Sequence, residues 1–361
     1  MVKESVKHLN PYVPEQTLDD LKKQYGLKKL VRLSANENAF GTSPEVARAL
    51  DSWHFSDANL YPDSNAEVLR RSIATRFNIS EDHLLFGNGL DEVIELLCRV
   101  ILEPGDEVID PALTFSEYQL HSQIEGAKIK RVALDDAGYL NLAAIKRQLT
   151  SKTKIIWICN PNNPTGTFLE PATIKSFLEA IPDSVTVIVD EAYIDFVNEK
   201  NVSVIQLTKQ FNNLVVLRTL SKAYGLANFR VGYAVCNPPL MAYLQAARLP
   251  YNLSTFAEVA ATAAFKDTEF VKRVVNTIAE ERIKWNRFLT KQKLPFYESS
   301  ANFIFFKAGN SDKLHDYLLR NGYLIRNGLK PGWLRITIGR PEDNSAVQKL
   351  MAAYFNASFN M

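Results

Sequence analysis

The chain has 361 residues, 46% hydrophobic and 23% charged, which is enough apolar content for a large core and more than one structural unit. Its 42 basic and 40 acidic residues are scattered and sum to +2, so no basic tract favours nucleic acid or an anionic membrane. Met1 is followed by Lys3 and Glu4 rather than an apolar leader, and no run nears the ~20 apolar residues of a membrane helix, so a cytoplasmic protein acting on small molecules is expected. Cys98, Cys159 and Cys236 lie far apart, and the five histidines lack ligand spacing, so neither a disulfide framework nor a metal is expected.

From about residue 80 to 240, short β-rich runs alternate with amphipathic stretches, the pattern of a parallel sheet with helical crossovers. The spacing of Val93, Leu96, Leu97 and Val100 predicts a helix over 91–102. Strands are predicted at 107–110, 129–133, 155–159, 185–189, 214–217 and 231–235. The runs Ile155-Ile156-Trp157-Ile158-Cys159 and Val185-Thr186-Val187-Ile188-Val189 are nearly continuous apolar, as in a sheet covered on both faces. One long helical stretch is predicted over roughly 255–292. A smaller α+β segment follows, with strands at 302–306 and 333–338 and a closing helix from about Asn344. This reads as a large α/β domain followed by a smaller one.

Ligands of open α/β sheets bind beyond the carboxyl ends of the strands, and three chemistry-bearing runs fall there. They are Asn160-Pro161-Asn162-Asn163-Pro164-Thr165-Gly166, Val189-Asp190-Glu191-Ala192-Tyr193, and Thr219-Leu220-Ser221-Lys222-Ala223-Tyr224-Gly225 continuing to Arg230. Lys222 stands in an apolar stretch that would lower its pKa, though a lone lysine is ordinarily a solvated surface group. Asp190 either caps the next turn or meets a ring nitrogen, and Tyr193 and Asn163 suit a phenolic oxygen. Thr219, Ser221 and Arg230, with the helix opening at Gly87-Asn88-Gly89-Leu90-Asp91, suit a phosphate dianion, provided that Asp91 and Glu92 turn away from it. Phe115 is either a core aromatic or a ring that stacks on a ligand. Arg335, on a strand with Trp333 and Thr337, is either a surface group or a bidentate partner for a carboxylate, with Arg326 a second cation nearby. Together these groups are the requirements of pyridoxal 5'-phosphate.

With Leu33-Ser34-Ala35-Asn36-Glu37-Asn38, Leu60-Tyr61-Pro62-Asp63, Thr114-Phe115-Ser116-Glu117-Tyr118 and Leu249-Pro250-Tyr251-Asn252, these runs resemble the fold-type-I, class II aminotransferases, and within them the histidinol-phosphate aminotransferase family. The likeness extends over about residues 8–355. It implies a large pyridoxal-phosphate domain over 40–250, with a mainly parallel sheet covered by helices, and a discontinuous small α+β domain from 1–39 and 251–361. It also implies that Lys222 is the Schiff-base lysine, Asp190 the pyridinium partner, Asn163 and Tyr193 the phenolate contacts, and Phe115 the stacking ring. Thr219, Ser221, Arg230 and the Leu90 and Asp91 amides would surround the phosphate. Tyr61 would reach the phosphate of a second subunit in a homodimer. Arg335 would bind the substrate carboxylate, with Arg326 and Tyr12 toward the substrate's phosphate end and Asn36 among the substrate contacts.

The activity so implied is amino transfer between L-histidinol phosphate and 2-oxoglutarate, in histidine biosynthesis. An aromatic amino acid aminotransferase and a threonine-phosphate decarboxylase-like lyase are the alternatives. Ala39, Leu90, Leu113 and the pair Ser64-Asn65 depart from the family pattern in ways that leave the cofactor site intact and bear only on substrate fit.

Overall fold

The structure, a computed structural model, describes residues 2–9 and 16–359. Eleven strands follow in chain order: β1 Val31–Leu33, β2 Leu84–Asn88, β3 Glu107–Pro111, β4 Lys128–Val132, β5 Thr153–Cys159, β6 Thr186–Asp190, β7 Leu214–Thr219, β8 Val231–Cys236, β9 Phe303–Lys307, β10 Tyr323–Ile325 and β11 Trp333–Thr337. Strands β2 to β8 form one sheet in the order β2-β8-β7-β6-β5-β3-β4. Strands β4, β3, β5, β6 and β7 pair in parallel. Ile155, Ile156, Trp157, Ile158, Val187, Ile188 and Val189 are fully buried, which is why these strands read as unbroken apolar runs.

Two features place the site. Strand β8 pairs antiparallel with both β7 and β2, which makes the sheet mainly rather than wholly parallel, as expected. Its amino-terminal residue, Val231, therefore lies at the edge where the parallel strands end, and the adjoining Arg230 reaches the same crevice. Strand β2 runs with the parallel set and feeds directly into the helix Gly89–Ile101, whose amino terminus opens on that edge.

The stretch predicted as one helix over 255–292 is two, Thr255–Lys266 and Thr268–Lys291. Asp267 separates them, because its Oδ1 accepts from the Phe270 amide (3.0 Å) and caps the second helix. The closing helix begins at Pro341, earlier than Asn344, since proline is well tolerated in a first turn. Among the C-terminal strands, β9 pairs antiparallel with β11, and β10 pairs in parallel with β1 from the start of the chain. Arg326 and Arg335 exchange backbone hydrogen bonds of 2.9 Å each, joining β10 to β11.

Behind the site, Arg218 on β7 is buried and paired with Glu191 (3.2 Å) and Asp195 (2.7 Å). Glu191 also accepts from Ser203 Oγ (2.6 Å) and the Val204 amide (2.7 Å), so this ionic group is hydrogen-bonded on several sides. Removing one partner leaves uncompensated buried charge. Arg218→Met is expected to lower unfolding stability by about 3–5 kcal/mol, measured as a fall in the denaturant midpoint by intrinsic fluorescence.

Candidate active site

The carboxyl ends of β5, β6 and β7 open into a crevice of about 270 Å³. Lys222, Asp190, Tyr193, Asn163 and Phe115 line it, as do Leu90, Asp91, Thr219, Ser221 and Arg230. Ten residues singled out in the sequence thus share one cavity. The walls follow from the topology: Asp190 ends β6, Thr219 ends β7, and Arg230 precedes β8.

Lys222 Nζ donates to the Ala35 carbonyl (3.2 Å) and lies 5.7 Å from the Tyr193 ring centre. Desolvation, with the Arg335 charge adding to it, pulls this amine down to about 8. Asp190 is buried. Its Oδ2 accepts from Tyr118 Oη at 2.5 Å and its Oδ1 from the Ala192 amide at 2.9 Å. Burial pushes the carboxyl up to about 6 against the pull of those two hydrogen bonds. Tyr193 is pushed up to about 12 by burial, so at neutral pH it is a phenol. Its oxygen accepts from Asn36 Nδ2 (3.0 Å), which leaves its own proton to donate.

The phosphate end is built from Thr219, Ser221 and Arg230. Thr219 Oγ1 donates to Ser221 Oγ (3.0 Å) and accepts from the Ser221 amide (3.1 Å), fixing both hydroxyls. Arg230 has φ 54°, which swings its guanidinium back over the first turn of the helix Gly89–Ile101. At Gly89 (φ 80°) an added Cβ would lie 2.2 Å from Arg230 Nη2, so only glycine leaves room for that guanidinium. The expectation that Asp91 and Glu92 both turn away holds only for Glu92, which accepts from the Asn88 amide and from Asn252 Nδ2 (3.0 Å). Asp91 instead pairs with Arg230 Nη2 at 3.0 Å, because the guanidinium arriving over the helix terminus attracts its carboxylate.

Arg335, Asn36, Arg326 and Tyr61 are not among the residues that line the crevice. Arg335, buried on β11, donates from Nη1 to Asn163 Oδ1 (2.5 Å) and from Nη2 to the Ser34 carbonyl (2.7 Å). Asn36 is held by Thr337 and Asn302: its amide donates to Thr337 Oγ1 (2.9 Å) and its carbonyl accepts from Asn302 Nδ2 (3.1 Å). Arg326 is tied to Arg335 through the backbone. Tyr61 is 81% exposed and stacks on Tyr251 with ring centres 4.6 Å apart. Tyr12 lies outside the described residues. Sequence reasoning passed over Tyr118, Thr337 and Asn302. Only Tyr118 carries a signal, since it follows Phe115 by three residues and so lies one helical turn away.

An amine, an acid, a phenol, an amide, an aromatic ring and a phosphate cradle in one crevice fit pyridoxal phosphate group by group. The family model described as Aminotransferase class I and II matches residues 28–350, and the chain belongs to that class. It is 47% identical to the histidinol-phosphate aminotransferase of Lactiplantibacillus plantarum, covering 98% of this chain and 99% of that one. It is 46% identical to the one of Leuconostoc mesenteroides subsp. mesenteroides, over 96% and 98%. At such identity over nearly the whole of both chains, the protein belongs to the histidinol-phosphate aminotransferase family. The fold matches the crystal structure of a histidinol-phosphate aminotransferase from Sinorhizobium meliloti in complex with pyridoxal-5'-phosphate, with TM-score 0.87, 24% identity and 98% of each chain covered.

Burial of the Lys222 amine costs stability. Its folded pKa of about 8 lies below the ordinary 10.5, so folding disfavours the protonated amine. The penalty is full below pH 8, fades as pH rises toward 10.5 and is absent above it. The side chain opens on the crevice, so water screens part of the effect. Lys222→Met in cofactor-stripped protein is expected to raise stability by about 2–3 kcal/mol at pH 7, and the gain should vanish by pH 10.5. Parallel denaturation curves at the two pH values measure both.

Proposed function

We propose that the chain uses pyridoxal 5'-phosphate to transfer an amino group from L-histidinol phosphate to 2-oxoglutarate, giving imidazole-acetol phosphate and glutamate. The observation that carries this reading is the placement of Lys222 and Asp190 in one crevice, in a chain so close to its histidinol-phosphate aminotransferase relatives. When bound, pyridoxal phosphate supplies an aldehyde that condenses with amines and a ring that accepts electrons. The chain's own residues do the rest. Lys222, whose amine is pulled down to about 8, would take the proton from the substrate Cα and return it at the carbon that was the cofactor's aldehyde. Asp190 holds the ring nitrogen's proton in place. Because Arg335 occupies Asn163 Oδ1, the amide's Nδ2 is the end left for the phenolic oxygen, beside the Tyr193 proton.

Phe115 stacks on the ring, while Thr219, Ser221, Arg230 and the Leu90 and Asp91 amides receive the phosphate. Arg335 binds glutamate's carboxylate or, in the other half-reaction, the phosphate of histidinol phosphate. We assign Arg326 and, by the family likeness alone, Tyr12 to that phosphate end, and Asn36 to the substrate contacts, where its side chain holds Tyr193. We also place the protein in the cytoplasm as a homodimer, with Tyr61 reaching the partner's phosphate. The exposure of Leu60, Tyr61, Tyr243, Leu249, Tyr251 and Phe256, all from two stretches of the chain, supports that interface. The pairing of β1 with β10 supports a small domain from 1–39 and 251–361 beside a large one over 40–250.

Histidinol phosphate, glutamate, phenylalanine and phosphothreonine, added one at a time to holoenzyme, separate the readings by absorbance. Histidinol phosphate and glutamate are expected to convert the cofactor to its amine form, and phenylalanine to do so with kcat/KM at least ~10-fold lower, for want of a phosphate to pair with the arginines. Equal use of phenylalanine, or release of carbon dioxide from phosphothreonine without a keto acid, would overturn the proposal. Arg335→Lys should lower kcat/KM for glutamate by about 10- to 100-fold, since a lysine cannot reproduce the bidentate fork.

A further inference from the structure

We infer that Tyr118 is a positioning residue for the reaction, whose hydroxyl keeps the proton shared by Asp190 and the cofactor's ring nitrogen on the nitrogen. The inference rests on the reading of Asp190 given above. Tyr118 is fully buried on the helix Ser116–Ile124, and its Oη is 2.5 Å from Asp190 Oδ2. Its ring is clamped. Trp157 of β5 stacks on one face, with centres 4.5 Å apart and planes 7° apart, and Phe115 meets it edge-on at 5.5 Å. Ser122 Oγ also donates to the Tyr118 carbonyl (2.7 Å), fixing the backbone beneath the ring. A fully buried ring packed against two other aromatic rings leaves its hydroxyl little freedom to leave the carboxylate.

The chemistry follows from competition for one proton. A pyridine nitrogen and a buried carboxyl are bases of similar strength, so the proton between them sits on whichever is made more basic. Burial strengthens the carboxyl as a base, drawing the proton toward Asp190 and leaving a neutral ring, a poor electron acceptor. The Tyr118 hydrogen bond opposes this by stabilising the carboxylate, and burial keeps the phenol itself neutral and therefore a donor. The other groups facing Asp190 are Cys159, Tyr193, Lys222 and Asp91. Cys159 and Tyr193 are held neutral by burial, Lys222 favours the carboxylate and Asp91 opposes it. Among the described residues, Tyr118 and the Ala192 amide are the groups that hydrogen-bond the carboxyl directly.

The test uses holoenzyme reconstituted with pyridoxal phosphate labelled with 15N in the ring, comparing wild type, Tyr118→Phe, Trp157→Phe and Asp190→Asn by 15N NMR near pH 7.5. Wild type and Trp157→Phe are expected to show a protonated ring nitrogen. Tyr118→Phe should move the signal toward the unprotonated value and slow the glutamate half-reaction by about 10- to 100-fold with little change in KM. A Tyr118→Phe signal identical to wild type overturns the inference, as does an equal displacement in Trp157→Phe, which would make the effect one of packing. If Asp190→Asn also leaves the nitrogen protonated, the assignment of Asp190 fails instead, so the two failures are distinguishable. Should Tyr118→Phe bind cofactor too weakly for NMR, infrared titration of the Asp190 carboxyl in cofactor-free protein decides. A midpoint raised by the substitution supports the inference, and an unmoved midpoint overturns it.

Discussion

The organisation of this protein depends on placing an amine and a carboxyl in the same low-dielectric crevice. Neither group is comfortable there: Lys222 is driven toward the neutral form and Asp190 toward the acid, each by loss of water. Such a pair persists only where the backbone beneath it is stiff. The buried strands β5, β6 and β7 provide that stiffness, because their ladders and fully buried side chains fix where each carboxyl-terminal residue points. The antiparallel strand β8 is what lets a residue late in the chain, Arg230, enter from its own amino-terminal end and meet groups from the ends of the others.

The C-terminal strands add a second connection. From β11, Arg335 reaches Asn163 and Thr337 reaches Asn36, which in turn holds Tyr193. Both groups we assign to the phenolic oxygen are therefore hydrogen-bonded, directly or through one intermediary, to the strand that carries Arg335. An anion arriving at Arg335 must compete with Asn163 Oδ1 and the Ser34 carbonyl for the guanidinium, and any shift of that side chain is felt at the Asn163 amide. Under the proposed roles, substrate binding at Arg335 and the orientation of the ring contacts are linked through a single strand.

Much of this was legible in the sequence because it is local. The continuous apolar runs marked the buried strands, and the ten crevice residues lay just beyond strand ends or at the opening of a helix. What escaped depended on long-range geometry. The direction of β8 cannot be read from its apolar pattern, since a strand buried on both faces looks the same in either sense. The break at Asp267 was hidden by helix-favouring sequence on both sides of one capping residue. Asp91 is expected from the sequence to turn away from the phosphate and instead pairs with Arg230, 139 residues away, because nothing in either segment reveals that the guanidinium folds over the helix terminus. Tyr118 was overlooked for a similar reason: its partner, Asp190, is 72 residues distant.

The helix Gly89–Ile101 shows how such contacts assign work to individual backbone groups. A helix of 13 residues leaves its first amides unpaired, and Asn88 makes no side-chain capping bond to them. The Gly89 amide donates to the Arg230 carbonyl at 2.8 Å, so it is already committed to holding β8 against the helix. The next two residues, Leu90 and Asp91, line the crevice at the positive end of the helix dipole. Arg230 spends one nitrogen on Asp91 and one on the Ala227 carbonyl (3.3 Å), which aligns the fork without neutralising the whole site. The left-handed turn at Arg230 and the glycine opposite it are therefore one device: the turn brings the guanidinium over the helix terminus, and Gly89 leaves the space it occupies.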